Sequence, residues 1–374
     1  MQYVRMPIEV ESPEEFGYDR IRYNLSESSV RDRSLGELGV ELGDMVLFYG
    51  EHAGRRELLE RIADLSSGPD GAVAPDDVLV TAGAAQALFI VATSLLERGD
   101  HLVVVRPNYA TNLFTPRAIG ADISYLDLVF EEGWRLDVER LLALVRPGTK
   151  YVSITVPHNP TGQTMAAEEL RALVDEVERR GLRLLVDETY RELTVDEPLP
   201  CAAALSERVV SVSSLSKTYG IPGIRTGWLV CRDRGLMETF LAAKEQMGIC
   251  GSVVDEEIAR QALAGRDAWL PEVRRRLATA LATVRDWVVG EELIEWVEPR
   301  GGVVSFPRIA PAAPVDVDLF YRLLTEEFGT YVGPGHWFEQ PRRHFRLGFG
   351  WPTPEELRGG LAGISGALRA ALRG

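Results

Sequence analysis

The sequence predicts an α/β fold: a large unit with a mostly parallel central sheet flanked by helices, plus a smaller α+β unit formed from both termini. Three observations lead there. Continuous Val/Ile/Leu runs alternate with amphipathic stretches through the middle of the chain, the pattern of a sheet covered on both faces. After about residue 255 this alternation gives way to long helical periodicities and then a Gly/Pro-marked stretch. The length of 374 residues suits about two domains at roughly 150 residues each, and no internal repeat divides it otherwise.

The elements follow in order. Residues 77–81 (DVLVT) read as a buried strand and 84–96 (AAQALFIVATSLL) as a helix. Strands continue at 101–105 (HLVVV), 150–156 (KYVSITV), 182–187 (LRLLVD), 209–213 (VVSVS) and 226–231 (TGWLVC), with helical spacing over 168–180. Long helices are predicted over 256–263 and 270–289, followed by the stretch 299–307 and an α+β tail. The resulting division is 1–44 joining the smaller unit, 45–270 as the large unit, and 271–374 as the C-terminal unit. Ligands are expected at the loops following the strand ends.

Composition narrows the function. Hydrophobic residues make up 45% and charged residues 26%, ordinary for a globular chain. A net charge of −15 repels phosphate backbones and anionic lipid, so neither nucleic acid nor a membrane surface is expected as a partner. No apolar run reaches the roughly 20 residues that span a bilayer, and the polar, acidic N-terminus lacks the features of a signal peptide. Three widely spaced cysteines fit a reducing compartment, and a cytoplasmic protein is expected. The five histidines (His52, His101, His158, His336 and His344) show no metal-ligand spacing, so no metal is expected.

Only three of the 41 basic Lys and Arg residues are lysine: Lys150, Lys217 and Lys244. Lys150 opens a strand and Lys244 lies in an amphipathic stretch beside Glu245; both read as solvated charges. Lys217 differs. It follows a buried strand in 213–228 (SSLSKTYGIPGIRTGW), among small and hydroxyl residues, before a turn enforced by Gly220, Pro222 and Gly223. A lysine at such a junction is placed to form a Schiff base with an aldehyde cofactor, with Ser214 and Arg225 holding that cofactor's phosphate.

That reading calls for further groups. Asp187, ending a strand, reads either as a turn or cap residue or as the carboxylate that keeps a pyridine nitrogen protonated. Asn159 in PHNPTG reads as a plain turn residue or as a donor to the ring phenol. Thr81 to Gln86 runs from strand into helix, where Gly83, Ala84, Ala85 and Gln86 offer backbone N–H groups to a phosphate. Tyr109 in RPNYATN is either a core aromatic or a ring lying on the pyridine face.

Together these motifs resemble a fold-type-I pyridoxal-phosphate enzyme of the class I/II aminotransferase family. The resemblance spans 23–373 and rests on S-x-S-K-x-x-G-x-P-G-x-R-x-G, PHNPTG, the segment around Asp187–Tyr190 and FRLGFG, in the family's order and spacing. It implies the cofactor pyridoxal 5′-phosphate, with Lys217 as Schiff-base lysine and proton shuttle and Asp187 as partner of the pyridine nitrogen. Asn159 and Tyr190 then bind the phenolic oxygen, Ser214 and Arg225 the phosphate beside the amides of 83–86, and Tyr109 stacks on the ring. Arg346 clamps the α-carboxylate of a small amino-acid substrate. Tyr49 in FYGEHAG implies a homodimer in which this tyrosine reaches the neighbouring site. The implied reaction passes the amino group of an α-amino acid to a keto acid.

The substrate side is less uniform. The segment YNLSESSVRD differs from the glycine-rich version of general aminotransferases and puts Glu27, Ser28 and Ser29 where the family lines its pocket. Glu27 reads as a solvated acid or as a partner for a cationic group such as guanidinium. This segment resembles natural-product enzymes, of the kind found in antibiotic biosynthesis, that oxidise, cyclise or eliminate from amino acids on the same fold. A lyase, oxidative deaminase or cyclase acting on an arginine-like or cysteine-conjugated intermediate therefore stays open as the alternative. A non-catalytic binding protein is disfavoured by the presence of Lys217, Asp187 and Arg225. His336 and Trp337 lie in a Gly/Pro loop that reads as packed or as reaching the pocket mouth.

Overall fold

A computed structural model describes residues 1–195 and 197–372; positions 373 and 374, at the end of both the resemblance and the predicted 271–374 unit, lie outside it. Seven strands form the main sheet: β1 (Val78–Thr81), β2 (His101–Arg106), β3 (Asp122–Asp127), β4 (Thr149–Thr155), β5 (Leu184–Asp187), β6 (Val209–Ser214) and β7 (Gly227–Cys231). Their order is β1-β7-β6-β5-β4-β2-β3. Only β7 runs against the rest, pairing antiparallel with both β1 and β6. Most of these strands are buried along their length because helices cover both faces, which is why they read as unbroken apolar runs. β3 was not legible that way: it is an edge strand, DISYLD, with one buried residue.

One face of the sheet packs Val152, Ile154 and Val186 against Leu170, Leu173 and Val177 of the helix Ala167–Arg179. The other packs Leu102, Val104 and Val212 against Ile90 of the helix Gly83–Leu95 and Phe240 of the helix Arg234–Gly248. A third core gathers Leu25, Phe320, Phe345, Leu347 and Ile364, joining chain start to chain end. There Tyr23–Asn24 pairs with Thr330–Tyr331, and Phe345–Gly348 lies between Val304–Ser305 and Gly333–Pro334.

Two predicted helices are longer than read. The helix predicted over 256–263 spans Val253–Ala264 because the Ser252 side chain caps it, accepting from the Asp255 N–H. The helix predicted from 270 starts at Arg266, and Pro271 sits in its second turn, where it supplies no N–H to the helix ladder. Lys244 corrects a larger expectation. It is 3% exposed, not solvated, because it shares the buried stripe of its helix with Leu236, Met237 and Phe240. Its ammonium donates to the His52 carbonyl at 2.5 Å. Lys150 stays half exposed, beside Asp100.

His344 gives the fold a pH dependence. Its ring stacks on Phe306 at 5.5 Å and meets Phe130 and Trp134 edgewise, and neither ring nitrogen has a hydrogen-bond partner among the described residues. Burial, with the nearby Arg308 guanidinium, pushes its pKa down to about 4. The unfolded chain therefore binds this proton first, and stability falls as pH drops from about 6.5 towards 4. His344→Phe is expected to keep the stacking and flatten that acid limb by about 2 kcal/mol, read as melting temperature against pH; an unchanged slope would refute the assignment.

Candidate active site

The carboxyl ends of β4, β5 and β6 open into one cleft of about 600 Å³. It is lined by Tyr109, Asn159, Asp187, Tyr190, Ser214, Lys217, Arg225 and Arg346, together with Ala84, Ala85, Glu27 and Ser28. Residues far apart in sequence converge because the parallel strands end in register: Thr155 of β4 stands beside Asp187 of β5, and Asp187 beside Val212 of β6.

Lys217 leaves the end of β6 two residues past Leu215, whose N–H is held by Thr226. Its own carbonyl accepts from Val30, pinning the N-terminal segment over it, and its Nζ donates to Ser28 Oγ at 3.1 Å. Burial pushes the amine below the ordinary lysine range; Glu27 opposes that push, and Arg346 adds to it.

Asp187 is a turn residue that also lines the cleft. Its Oδ1 takes the Thr189 N–H at 3.1 Å and the Thr189 hydroxyl at 2.6 Å, a local turn. Its carboxyl is also buried in the cleft, and burial raises its pKa. A charge in that position is costly until a cation pairs with it.

Arg346 is buried, with Nη1 donating to Asn159 Oδ1 at 3.3 Å and Nη2 to the Ser26 carbonyl at 2.7 Å. Its Nε has no hydrogen-bond partner among the described residues. Tyr190 donates its hydroxyl to the Ser28 carbonyl at 2.6 Å, and burial pushes its pKa up to about 12.

The opposite end of the cleft suits an anion. The helix Gly83–Leu95 starts there without an acidic residue in its first turn, leaving its first N–H groups free for a ligand. Arg225 lies over this helix start. A Cβ on Gly83 would meet Arg225 Nη2 at 2.5 Å and push the guanidinium aside, and the φ of +80° itself favours glycine there. Arg225 Nη1 also donates to Ser216 Oγ at 3.3 Å, and Ser214 Oγ accepts from the Ser216 N–H at 3.4 Å. Ser216 was missed although it sits in the same S-x-S-K string. Gln86 does not reach the cleft with its side chain; Oε1 accepts from the Ala82 N–H at 2.6 Å and secures the turn.

A buried guanidinium nitrogen without a partner and a buried carboxylate without a salt bridge among the described residues, a desolvated amine and an anion cradle at one end fit pyridoxal 5′-phosphate group by group.

The substrate side contains more carboxylates than the sequence reading found. Glu27 lines the cleft and is largely buried, within 3.4 Å of both the Tyr18 hydroxyl and Asn24 Nδ2, and burial raises its pKa. Glu9 and Glu14 line the same cleft, carried by the short helices Pro7–Val10 and Pro13–Phe16. The proline opening each helix was the available signal. Trp337 faces the cleft, while His336 turns away to Glu11 Oε2 at 2.9 Å. Trp337 Nε1 donates to the same oxygen at 2.7 Å, which clasps the N-terminal segment down.

Tyr49 stands apart from the cleft, 80% exposed in the run Val46, Leu47, Phe48 and Tyr49, all exposed. Among the described residues no three His, Cys, Asp or Glu side chains are grouped to hold a metal, and no helix is long and apolar enough to cross a membrane.

Comparison with known proteins agrees with this geometry. A family model for aminotransferase class I and II matches residues 28–364. Capreomycidine synthase of Streptomyces vinaceus is 31% identical over 369 residues, 96% of this chain and 92% of that one. Arginine–pyruvate transaminase of Pseudomonas aeruginosa is 30% identical over 312 residues, 80% of this chain and 77% of that one. Among solved structures, the PLP-dependent cyclase OrfR superposes with a TM-score of 0.88 at 31% identity, over 99% of this chain and 98% of that one.

Proposed function

We infer, for a chain that belongs to the aminotransferase class I and II family and works with pyridoxal 5′-phosphate, that its substrate is an α-amino acid with a cationic, guanidinium-type side chain. The observation that carries this is the charge layout of one cleft: Arg346 deep beside Asn159, and Glu27, Glu9 and Glu14 lining the wall formed by the N-terminal segment. The name of one relative, an arginine–pyruvate transaminase, points the same way.

The bound cofactor supplies an aldehyde for primary amines and a ring that withdraws electrons from the substrate Cα. Lys217 would hold the aldehyde until the substrate amine displaces it, and its lowered pKa favours the neutral free amine that takes the α-proton. Asp187 keeps the ring nitrogen protonated. Asn159 and Tyr190 hold the phenolic oxygen, and Tyr109 packs against the ring. The amides of 83–85, Ser214, Ser216 and Arg225 hold the phosphate. Arg346 pairs with the substrate α-carboxylate, and Glu27 with its side-chain cation. The cofactor side belongs to 45–270; 1–44 and 271–374 close the substrate side. The exposed Val46–Tyr49 run meets a second copy, placing Tyr49 at the neighbour's phosphate, and the reducing cytoplasm suits the three free cysteines.

Transfer of the amino group to a keto acid is the leading reaction. Cyclisation or elimination is the second, favoured by the likeness to a cyclase and to capreomycidine synthase, and it assigns the chain to natural-product assembly. Product analysis with a panel of amino acids separates them. A keto acid and aminated cofactor mean transamination; a cyclised or eliminated product with the aldehyde cofactor returned means the second reaction.

Glu27→Gln tests the substrate class. It is expected to lower kcat/KM for arginine by roughly 10–100-fold, the worth of one charge-assisted hydrogen bond, and to leave alanine unchanged. Equal loss for both, or none, would remove the assignment.

A further inference from the structure

The stem of the Tyr49 run is held from below by two buried side chains of opposite charge. Lys244 and Glu256, 3% and 4% exposed, come from consecutive helices, Arg234–Gly248 and Val253–Ala264. Each spends its polar contact on the backbone of one short segment. Lys244 Nζ donates to the His52 carbonyl at 2.5 Å, and Glu256 Oε2 accepts the Arg55 N–H at 2.7 Å. Between these two points, the Ala53 carbonyl accepts from Val80 of β1 at 2.8 Å. His52 Nδ1 lies 2.6 Å from Glu245, one residue beyond Lys244. Three elements thus grip residues 52–55, and Tyr49 stands three residues before that grip.

A buried lysine and a buried glutamate are costly groups unless they pair and find hydrogen bonds. Here each is the other's nearby opposite charge. Apolar side chains would fill this volume without that cost, but they would not anchor a carbonyl and an amide. Nor does the site have slack: a Cβ on Gly251 would fall 2.2 Å from Glu256 Oε1. Lysine suits the place because a compact ammonium makes one directed bond to a carbonyl, where a planar guanidinium needs a wider berth.

We propose that Lys244 and Glu256 are positioning residues that fix the 52–55 stem and so set the reach of Tyr49 into the site of a second copy. This rests on the reading that Tyr49 serves the neighbouring phosphate. The chain thereby uses a pair more than 190 positions downstream to control cofactor retention in the other subunit.

The test is a double-mutant cycle on the apoenzyme titrated with pyridoxal 5′-phosphate, using Tyr49→Phe, Lys244→Met and both together. Dimer mass and hydrogen exchange over 46–56 are followed alongside. Lys244→Met is expected to weaken cofactor binding about tenfold and to speed exchange over 46–56, with kcat restored at saturating cofactor. In the Tyr49→Phe background the further loss is expected to vanish. Should Lys244→Met fail to fold, Glu256→Gln keeps an acceptor for the Arg55 amide while removing the charge, and is expected to shift binding in the same direction. Additive losses, or unchanged binding in a folded variant, with Tyr49→Phe still impaired, would overturn the positioning role and leave the Tyr49 reading standing. Unaltered cofactor binding in Tyr49→Phe would overturn the Tyr49 reading and this proposal with it.

Discussion

Lys217→Ala is expected to abolish the visible absorption band of the bound cofactor and to reduce turnover by roughly 10⁴-fold or more. Two roles fall together, holding the aldehyde and taking the α-proton, and groups that act as a unit lose nearly everything with one deletion. The remaining lysines cannot substitute: Lys244 is committed beneath the 52–55 stem, and Lys150 lies half exposed beside Asp100. Borohydride treatment of the loaded wild type is expected to fix the cofactor mass on the peptide carrying Lys217. The apoenzyme of Lys217→Ala is expected to melt no lower than wild type, because removing a desolvated amine relieves a cost that Ser28 Oγ and the nearby Glu27 and Glu14 offset in part. A surviving band would assign the aldehyde to another amine.

Asp187→Asn is expected to lower kcat by about 10²–10³-fold with little change in KM, matching the loss of one preorganised electrostatic contact. Asparagine retains an acceptor for the Thr189 N–H and hydroxyl, so the turn survives and the charge alone is removed. Without that charge the ring nitrogen loses its proton and withdraws electrons poorly. A cofactor methylated at the ring nitrogen carries a fixed positive charge and is expected to recover part of the lost rate. The stability sign is opposite. Burial raises the Asp187 pKa above its unfolded value, so the ionised group costs stability as pH rises through the folded pKa. The apo variant is therefore expected to be more stable than wild type near neutral pH. Wild-type turnover in Asp187→Asn would refute the role.

Much of the cofactor side was legible because it is local. Ser214, Lys217 and Arg225 lie within a dozen residues, and strand ends with their turns announce themselves through Val/Leu runs broken by glycine and proline. The helix start at Gly83 was legible for the same reason, though only the folded chain shows Arg225 lying where a Cβ would have been. Ser216 shared that string and was passed over because a hydroxyl two residues from another has no distinguishing signal until Arg225 bonds to it.

The substrate side was decided by long-range packing. Glu9 and Glu14 read only as part of a polar, acidic start to the chain, and Glu11 draws that segment down onto His336 and Trp337, more than 320 positions away, at the rim of the cleft. Glu27 alone did not say whether it was solvated or buried; Val30 bonded to the Lys217 carbonyl puts it in the cleft. Lys244 looked like a surface charge by residue type and neighbour, and its place on the inner stripe of its helix reversed that. Six of the seven sheet strands, their loops and the candidate groups for one cofactor were legible in local windows, since periodicity and turn chemistry act over a few residues. Long-range packing set which carboxylates line the cleft and which charges are buried. Those outcomes depend on what the far end of the chain packs against, and no local window contains that information.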